Sequence, residues 1–363
     1  MTIKQAGKIY VIILNYNGWA DTIECLESIF RNGYPACQVI VVDNASSDNS
    51  LEYLKDWAEG GLDILVDKNH YLRHLFFPPV SKSIPYVIYS EEEINNRFTA
   101  KSENNSADRV TKDSIGHYPI IFIQAKFNKG FAAGNNLGIK YAMINEDLDS
   151  VILLNNDTVI KPDALKNLIA AKDLYGNEAV YGGRIYYYAQ PYKIWFDGGY
   201  FNPWLGKARH INMDKNRNEV PCDESFKLIN FMTFCFALLP VDIIKRVGLF
   251  DEDFFMYGED LEYSYRLIES GCKIYQICNS EIFHKVGASS GKKASSFSVY
   301  WNFRNNIRFI RKFLKFRHKL SAFTYIFATR LIWFPVWLIQ KKNYIIINQI
   351  KGVIDGFKKI HLS

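Results

Sequence analysis

Acids and amides stand in this chain where apolar runs stop. "VILLNNDT", residues 151–158, carries four aliphatic residues straight into Asn155, Asn156 and Asp157. The run 9–14 stops at Asn15, Tyr16, Asn17 and Gly18, and the run 39–42 stops at Asp43. After residues 120–124 come Asn128, Lys129 and Gly130. Unbroken apolar runs of this kind read as central strands covered on both faces. In open α/β sheets, ligands bind outside the carboxyl ends of such strands. Taken singly, each polar stretch reads equally as the start of a turn, which Asn and Asp favour. Four of them in one rhythm point to a shared polar edge. A carboxylate there, such as Asp43, could accept the N3–H of a pyrimidine. The stretch "GFAAGNN", from Gly130 to Asn136, would bring backbone N–H groups to phosphates. It is not G-x-G-x-x-G, which weighs against a dinucleotide site.

A second constellation lies in "FFMYGEDLEYSYR". Glu259 and Asp260 open a helix directly after Gly258, where the helix dipole favours an ionised carboxylate and keeps its pKa low. Plain capping accounts for Glu259. For Asp260, in this company, plain capping is the weaker reading. His284 ends the short strand "EIFH"; an isolated histidine is more often a packed residue than a ligand.

The elements that must position these residues follow from periodicity. A helix is expected from Asp21, with Glu24 in capping-box spacing, Ile23, Leu26, Ile29 and Phe30 inward, and Gly33 as its stop. Another carries Leu51, Leu54 and Trp57 on one face. Residues 67–119 lose all period and read as an insertion, part loop and part mobile. Pro162 marks a helix start with Leu165, Leu168 and Ile169 buried. The repeating strand–helix rhythm predicts an α/β, doubly wound, mostly parallel sheet. Aromatics and glycines over 180–206 predict hairpins, hence a mixed second half. The helix 259–270 is expected to bury Leu261, Tyr265 and Ile268. "KIYQIC" and "EIFH" read as two strands.

The bulk numbers allow one large domain or two: 363 residues, 48% hydrophobic and 23% charged, with net charge +6. Six scattered cysteines, with no C-x-x-C pair, predict neither a zinc site nor a disulfide framework, and so a reducing compartment. The N-terminal apolar run is too short for a signal peptide, which places the chemistry in the cytosol.

The ordered set "ILNYNG", "VVDNASSD", "NKGFAAGNN", "LLNNDT", "GLFDEDFFMYGEDLEYSYRL" and "IFHKVGASS" resembles family 2 of the glycosyltransferases, in particular its bacterial rhamnosyltransferase-like members. The resemblance covers roughly residues 8–309, apart from the insertion. It implies a GT-A fold, a nucleotide-sugar donor, a divalent metal (Mg²⁺ or Mn²⁺) and inversion at the anomeric carbon. By position, Asp43 looks like the base reader, Asp157 the last acid of a D-x-D metal motif, Asp260 the general base and His284 a further metal or diphosphate contact. Asn155 replaces the first acid of D-x-D, so a neutral oxygen stands in for a charged one. Asn15, Tyr16, Asn17, Asn128, Gly130, Asn135 and Asn156 complete the expected donor-binding set.

The last 63 residues, 301–363, read as a basic, aromatic helical tail behind a catalytic domain over 1–300. Seven Lys and Arg and no acid lie between Arg304 and Lys319. Residues 321–339 are long enough to span a bilayer, but Arg330 and Pro335 oppose a simple span. Cations on both flanks fit an anionic membrane surface; a buried helix pair is the alternative. No motif supports nucleic acid. The expected activity is inverting, metal-dependent sugar transfer, with dTDP-rhamnose as one candidate donor. The acceptor would be lipid-linked or a polysaccharide, used in cell-surface glycan synthesis, with the enzyme peripheral on the inner face of the cell membrane. A nucleotidyltransferase would want a glycine-rich basic loop that "NYNGWADT" lacks. A non-catalytic sugar-nucleotide binder would be expected to have lost Asp43, Asp157 or Asp260.

Overall fold

The computed structural model describes residues 7–31, 37–64, 66–102, 119–222, 226–286 and 295–358. The elements run β1 (Lys8–Asn15), α1 (Trp19–Arg31), β2 (Cys37–Asp43), α2 (Ser50–Glu59), β3 (Tyr86–Ser90), α3 (Glu91–Ser102), β4 (Ile120–Gln124), α4 (Gly130–Ile144), β5 (Leu148–Asn155) and β6 (Thr158–Ile160). Then follow α5 (Ala164–Tyr175), β7 (Ala179–Tyr187), β8 (Gln190–Phe196), β9 (Gly199–Asn202), β10 (Lys207–His210), β11 (Lys227–Ile229), β12 (Phe236–Pro240) and α6 (Val241–Val247). The chain continues through α7 (Glu259–Glu269), β13 (Lys273–His284), α8 (Ser296–Phe313), α9 (Phe316–Ile339) and α10 (Asn343–Phe357).

The main sheet runs β11-β13-β7-β12-β5-β1-β2-β4-β3, with β6 beside β13 and β8 beside β7. β5, β1, β2, β4 and β3 are parallel; β12 runs antiparallel to both β5 and β7. Chain order reverses between β1 and β5, the switch point where α/β sheets bind ligands. Burial explains the sequence pattern. Residues 9–13, 39–42 and 151–154 are sealed on both faces, so their strands read as continuous apolar runs rather than alternating ones.

Several expectations are corrected. Helix α1 begins at Trp19, and Asp21 and Glu24 form no capping box: both bind the Lys285 ammonium at 2.6 Å. The expected stop at Gly33 lies outside the described residues. The stretch read as aperiodic supplies β3, the parallel edge strand, and α3. Residues 103–118 of that stretch lie outside the described residues. Helix α7 buries Leu261, Tyr263, Ser264 and Leu267, while Ile268 is exposed. "KIYQIC" and "EIFH" form one strand, β13, whose register against β7 shifts between Ile277 and Glu281. Cys222 and Cys278 form a disulfide, Cα to Cα 5.6 Å, which removes the basis for reading a reducing compartment. Separation of 56 residues hides such a pair from a spacing argument.

The division expected at residue 301 falls inside α8. That helix is seated on the catalytic domain, with Arg304, Asn305, Ile307, Arg308, Phe309 and Ile310 buried. α10 packs on α8 where Gly352 and Gly356 let the backbones approach: a Cβ at Gly356 would lie 2.8 Å from the Arg304 carbonyl. α9 is different. It is a continuous 24-residue helix, long and apolar enough to cross a membrane, and most of it is uncovered; the helix pair packed on the domain is α8 with α10. Arg330 turns toward its neighbours, donating to Gln349 Oε1 at 3.2 Å with its guanidinium over the rings of Phe303 and Trp337.

Candidate active site

The strand ends meet as a row. Asn15 lies opposite Asp43 in register, Asp43 opposite Gln124, and Leu14 opposite Asn155. Asn15, fully buried, is the hub. Its Nδ2 donates to Asp43 Oδ1 (2.9 Å) and Ser46 Oγ (3.2 Å), and its Oδ1 accepts from Thr22 Oγ1 (2.9 Å) and Asn156 Nδ2 (3.5 Å). The second carboxylate oxygen of Asp43 accepts the Ser46 N–H at 3.2 Å. Each carboxylate oxygen has a further lone pair, so the anchored Asp43 keeps capacity for a base N–H. Asn17, at φ 51, locks onto the next loop: its N–H donates to Ser46 Oγ and its Oδ1 accepts from Ser47 N–H. Tyr16 is exposed beside it.

On the β4 side, expectation and structure part. Asn128 Oδ1 caps α4 by accepting from Gly130 N–H (2.9 Å) and also accepts from Asn44 Nδ2 (3.0 Å). Phe131 N–H donates to the Phe255 carbonyl at 2.8 Å. The first two N–H groups of α4 are therefore taken, and "GFAAGNN" does not offer them to phosphates. Gly130 serves close approach instead: at φ 87 a Cβ there would collide with the Phe255 carbonyl. Asn135 is buried and donates back to Phe131 O within its own helix. Asn136, not singled out by the sequence, exchanges hydrogen bonds with both backbone groups of Phe250.

Past the strand end, Asp157 Oδ1 and His284 Nε2 stand 3.0 Å apart, with Asn155 half-buried at the tip of β5. Burial alone would push the His284 pKa down, but the Asp157 carboxylate and Cys235 outweigh it and hold it well above its ordinary value. The Asp157 carboxylate therefore holds a proton on the imidazole, and a metal bound by both groups would have to displace it. Two ligands at adjacent corners of an octahedron with ~2.1 Å bonds lie about 3.0 Å apart, so the pair fits Mg²⁺ or Mn²⁺. Among the described residues no third His, Cys, Asp or Glu joins them. Donor phosphates and water would complete such a shell.

Asp260 lies close enough to Cys235 that its buried thiol feels His284, Asp157 and Asp260 together. Its Oδ1 accepts the Phe234 N–H at 2.9 Å. Burial nevertheless raises its pKa to about 6, against the Phe234 N–H and the Thr233 hydroxyl, which lower it. The expected low pKa is thus corrected: desolvation wins over the helix terminus. Glu259 is not a simple cap either. Its carboxyl is buried with Oε2 unpartnered, and burial and Asp260 push its pKa well above the ordinary range.

A mostly parallel sheet with a polar switch point, flanked by an acid–imidazole pair and a half-buried acid, fits a nucleotide-sugar transferase of GT-A type. The family model of glycosyl transferase family 2 matches residues 10–74 and 101–248. The chain belongs to that family. The break over 75–100 coincides with β3 and nearly all of α3. The low-salt glycan biosynthesis hexosyltransferase Agl10 of Haloferax volcanii is 26% identical over 296 residues, covering 76% of this chain and 91% of that protein. The uncharacterized glycosyltransferase YibD of Escherichia coli is 35% identical over 57 residues, 16% of this chain and 17% of its own. A crystal structure of GalNAc-T7 with UDP, GalNAc and Mn²⁺ shares the fold at TM-score 0.52 and 12% identity, covering 85% of this chain and 48% of that one.

Proposed function

We propose that this glycosyltransferase inverts the anomeric carbon of its donor sugar with Asp260 as general base, at a site where Asp157 and His284 hold Mg²⁺ or Mn²⁺. The observation that carries it is that two unlike groups act on one buried thiol, Cys235. One is an acid–imidazole pair spaced to hold a cation; the other is a single acid whose pKa burial raises to about 6. A carboxylate with that pKa is ionised at neutral pH yet basic enough to accept a proton. Asp260 takes the proton of an acceptor hydroxyl as that oxygen attacks the sugar from the face opposite the leaving nucleotide. Asp43, held by Asn15 and Ser46, presents a carboxylate to the base of the donor. A bound divalent ion would neutralise charge growing on the departing diphosphate.

The name of the Haloferax relative supports a hexosyl group and a glycan acceptor; the rhamnosyltransferase-like resemblance supports dTDP-rhamnose. The uncovered apolar residues of α9, among them Phe327, Leu331, Ile332 and Trp333, lie between Lys315, Arg317 and Lys319 on one side and Lys341 and Lys342 on the other. That arrangement supports an acceptor met at an anionic membrane surface, where a lipid-linked glycan would reside. The test is a panel of UDP-, GDP- and dTDP-sugars, scored for nucleotide release with a lipid-linked acceptor extract. Product anomeric configuration is read by NMR. Retention of configuration would reject the single-base mechanism.

A further inference from the structure

The loop that leads into Asp260 is held from outside the catalytic sheet. Tyr257 and Gly258, immediately before α7, are both left-handed, at φ 65 and φ 92. Such a conformation is strained for a tyrosine and persists only where surrounding structure imposes it. The imposing group is Asn305 of α8, 1% exposed. Its Nδ2 donates to two consecutive carbonyls, Met256 O at 3.0 Å and Tyr257 O at 2.6 Å. The orientation of this amide is determined by its partners. Arg304 Nη1, which can only donate, faces Oδ1 at 2.6 Å, and the two carbonyls, which can only accept, face Nδ2. Arg304 also donates to the Asp253 carbonyl at 2.7 Å, and Arg308 pairs with the Asp253 carboxylate at 2.6 Å. A Cβ at Gly258 would lie 3.1 Å from the Cβ of Asn305, so the turn and α8 touch with no side chain between them.

We propose that Asn305 is a positioning residue for sugar transfer: its two hydrogen bonds hold the left-handed Tyr257–Gly258 turn and so aim the Asp260 carboxylate at the acceptor hydroxyl. This rests on Asp260 being the base. Asn305 would act through the backbone it holds, not as a catalytic group. Its loss would let the turn relax toward ordinary backbone and swing the first turn of α7. A displacement of about 1 Å at a reacting group can cost about 100-fold in rate. Among the described residues, the groups facing Asp260 are Glu259 on its own helix, the Phe234 N–H, the Thr233 hydroxyl and the Cys235 thiol. None of these is on α8, so α8 acts on the base through backbone geometry alone.

The test compares Asn305→Ala, Asn305→Asp and Asp260→Asn in the full chain. Asn305→Asp keeps the volume but replaces the donor with an acceptor facing two carbonyls. Turnover is measured with whichever donor the panel identifies, and nucleotide affinity with UDP and dTDP in Mn²⁺. The expected result for both Asn305 variants is a kcat fall of about 10- to 100-fold. Donor KM and nucleotide Kd should stay within about twofold of wild type, the split expected when only transition-state geometry is lost. The acid limb of the kcat profile should also move to lower pH, because a loosened Asp260 gains solvent. Two results would overturn the proposal: wild-type kcat in either variant, or nucleotide binding lost in parallel with turnover in both. Asp260→Asn separates the two readings. Full turnover there removes the base assignment itself; lost turnover there beside unaffected Asn305 variants leaves the base in place and removes only the positioning role.

Discussion

The Asp157 carboxylate and the His284 imidazole meet at 3.0 Å because β6 pairs antiparallel with β13, which sets Thr158 opposite His284. Lys285 fixes the geometry from behind, its side chain clamped by Asp21 and Glu24 of α1 and its N–H donating to the Asp157 carbonyl. The pair should therefore be an assembled cation site before donor arrives. EDTA should abolish turnover, and Mn²⁺ or Mg²⁺ should restore it. Asp157→Ala should lose metal-dependent nucleotide binding, seen as a calorimetric signal that no longer depends on the ion. Turnover untouched by EDTA would exclude metal assistance.

Asn155→Asp should tighten that site, since a charged oxygen replaces a neutral one at the tip of β5. The measurement is the Mn²⁺ concentration giving half-maximal turnover, which should fall. A rise would show that residue 155 faces away from the cation.

Asp260→Asn should behave as two experiments in one. Turnover should fall about 10²- to 10⁴-fold with nucleotide affinity kept, the usual loss on removing a general base. The fold should become more stable at neutral pH. An acid whose folded-state pKa lies above its unfolded value weakens the fold once both states are ionised. That penalty fades as pH falls from about 6 toward 3.8. Removing the charge should therefore add about 1–2 kcal/mol at pH 7.5 and nothing near pH 3.5, read from urea midpoints. In the wild type, kcat should rise with pH through about 6. A destabilised Asp260→Asn at pH 7.5 would contradict the raised pKa.

What the sequence made legible is what local chemistry marks. Asp43 and the 155–157 triplet end strands whose burial on both faces shows as an unbroken apolar run, and Asp260 sits at a helix start flagged by Gly258. The rest depends on partners remote in sequence. Cys235, whose buried thiol feels Asp157, His284 and Asp260, looks like any small core residue. Asn305 reads as part of a basic stretch until α8 is docked. Hydropathy alone gives the wrong face of α7, because Tyr263 and Ser264 are buried while Ile268 is exposed. β3 and α3 were hidden by prolines and by the three acids that open α3. The engagement of Phe131 N–H is not legible in GFAAGNN, because its acceptor, the Phe255 carbonyl, lies more than a hundred residues away.

Gly130→Ala should therefore damage the fold rather than phosphate binding. The residue is left-handed, and its missing Cβ makes room for the Phe255 carbonyl, which in turn accepts from Phe131 N–H. Strain and the forced backbone shift together should cost about 2–4 kcal/mol, measured by urea unfolding. Unchanged stability with weakened donor binding would restore the phosphate reading.

The tail prediction needs a cut that spares α8, because deletion from residue 301 would remove Asn305, Arg308 and part of the catalytic domain's own packing. Deleting residues 316–363 removes α9 and α10 and leaves α8 in place. The intact chain should co-sediment with vesicles containing anionic phospholipid, and the shortened chain should stay in the supernatant. Each Lys or Arg near an anionic surface contributes about 1 kcal/mol, and that part is screened by salt. The uncovered apolar residues of α9 and α10, such as Trp333 and Ile354, contribute a part that salt does not screen. High salt should therefore release only part of the intact protein. α8 loses the partner that Gly352 and Gly356 seat against it, so the shortened chain should also melt earlier; nucleotide binding reports whether its catalytic domain is still folded. Intact protein that stays in the supernatant at low salt would reject the membrane surface. Association with neutral vesicles equal to that with anionic ones would assign it to the apolar helices alone.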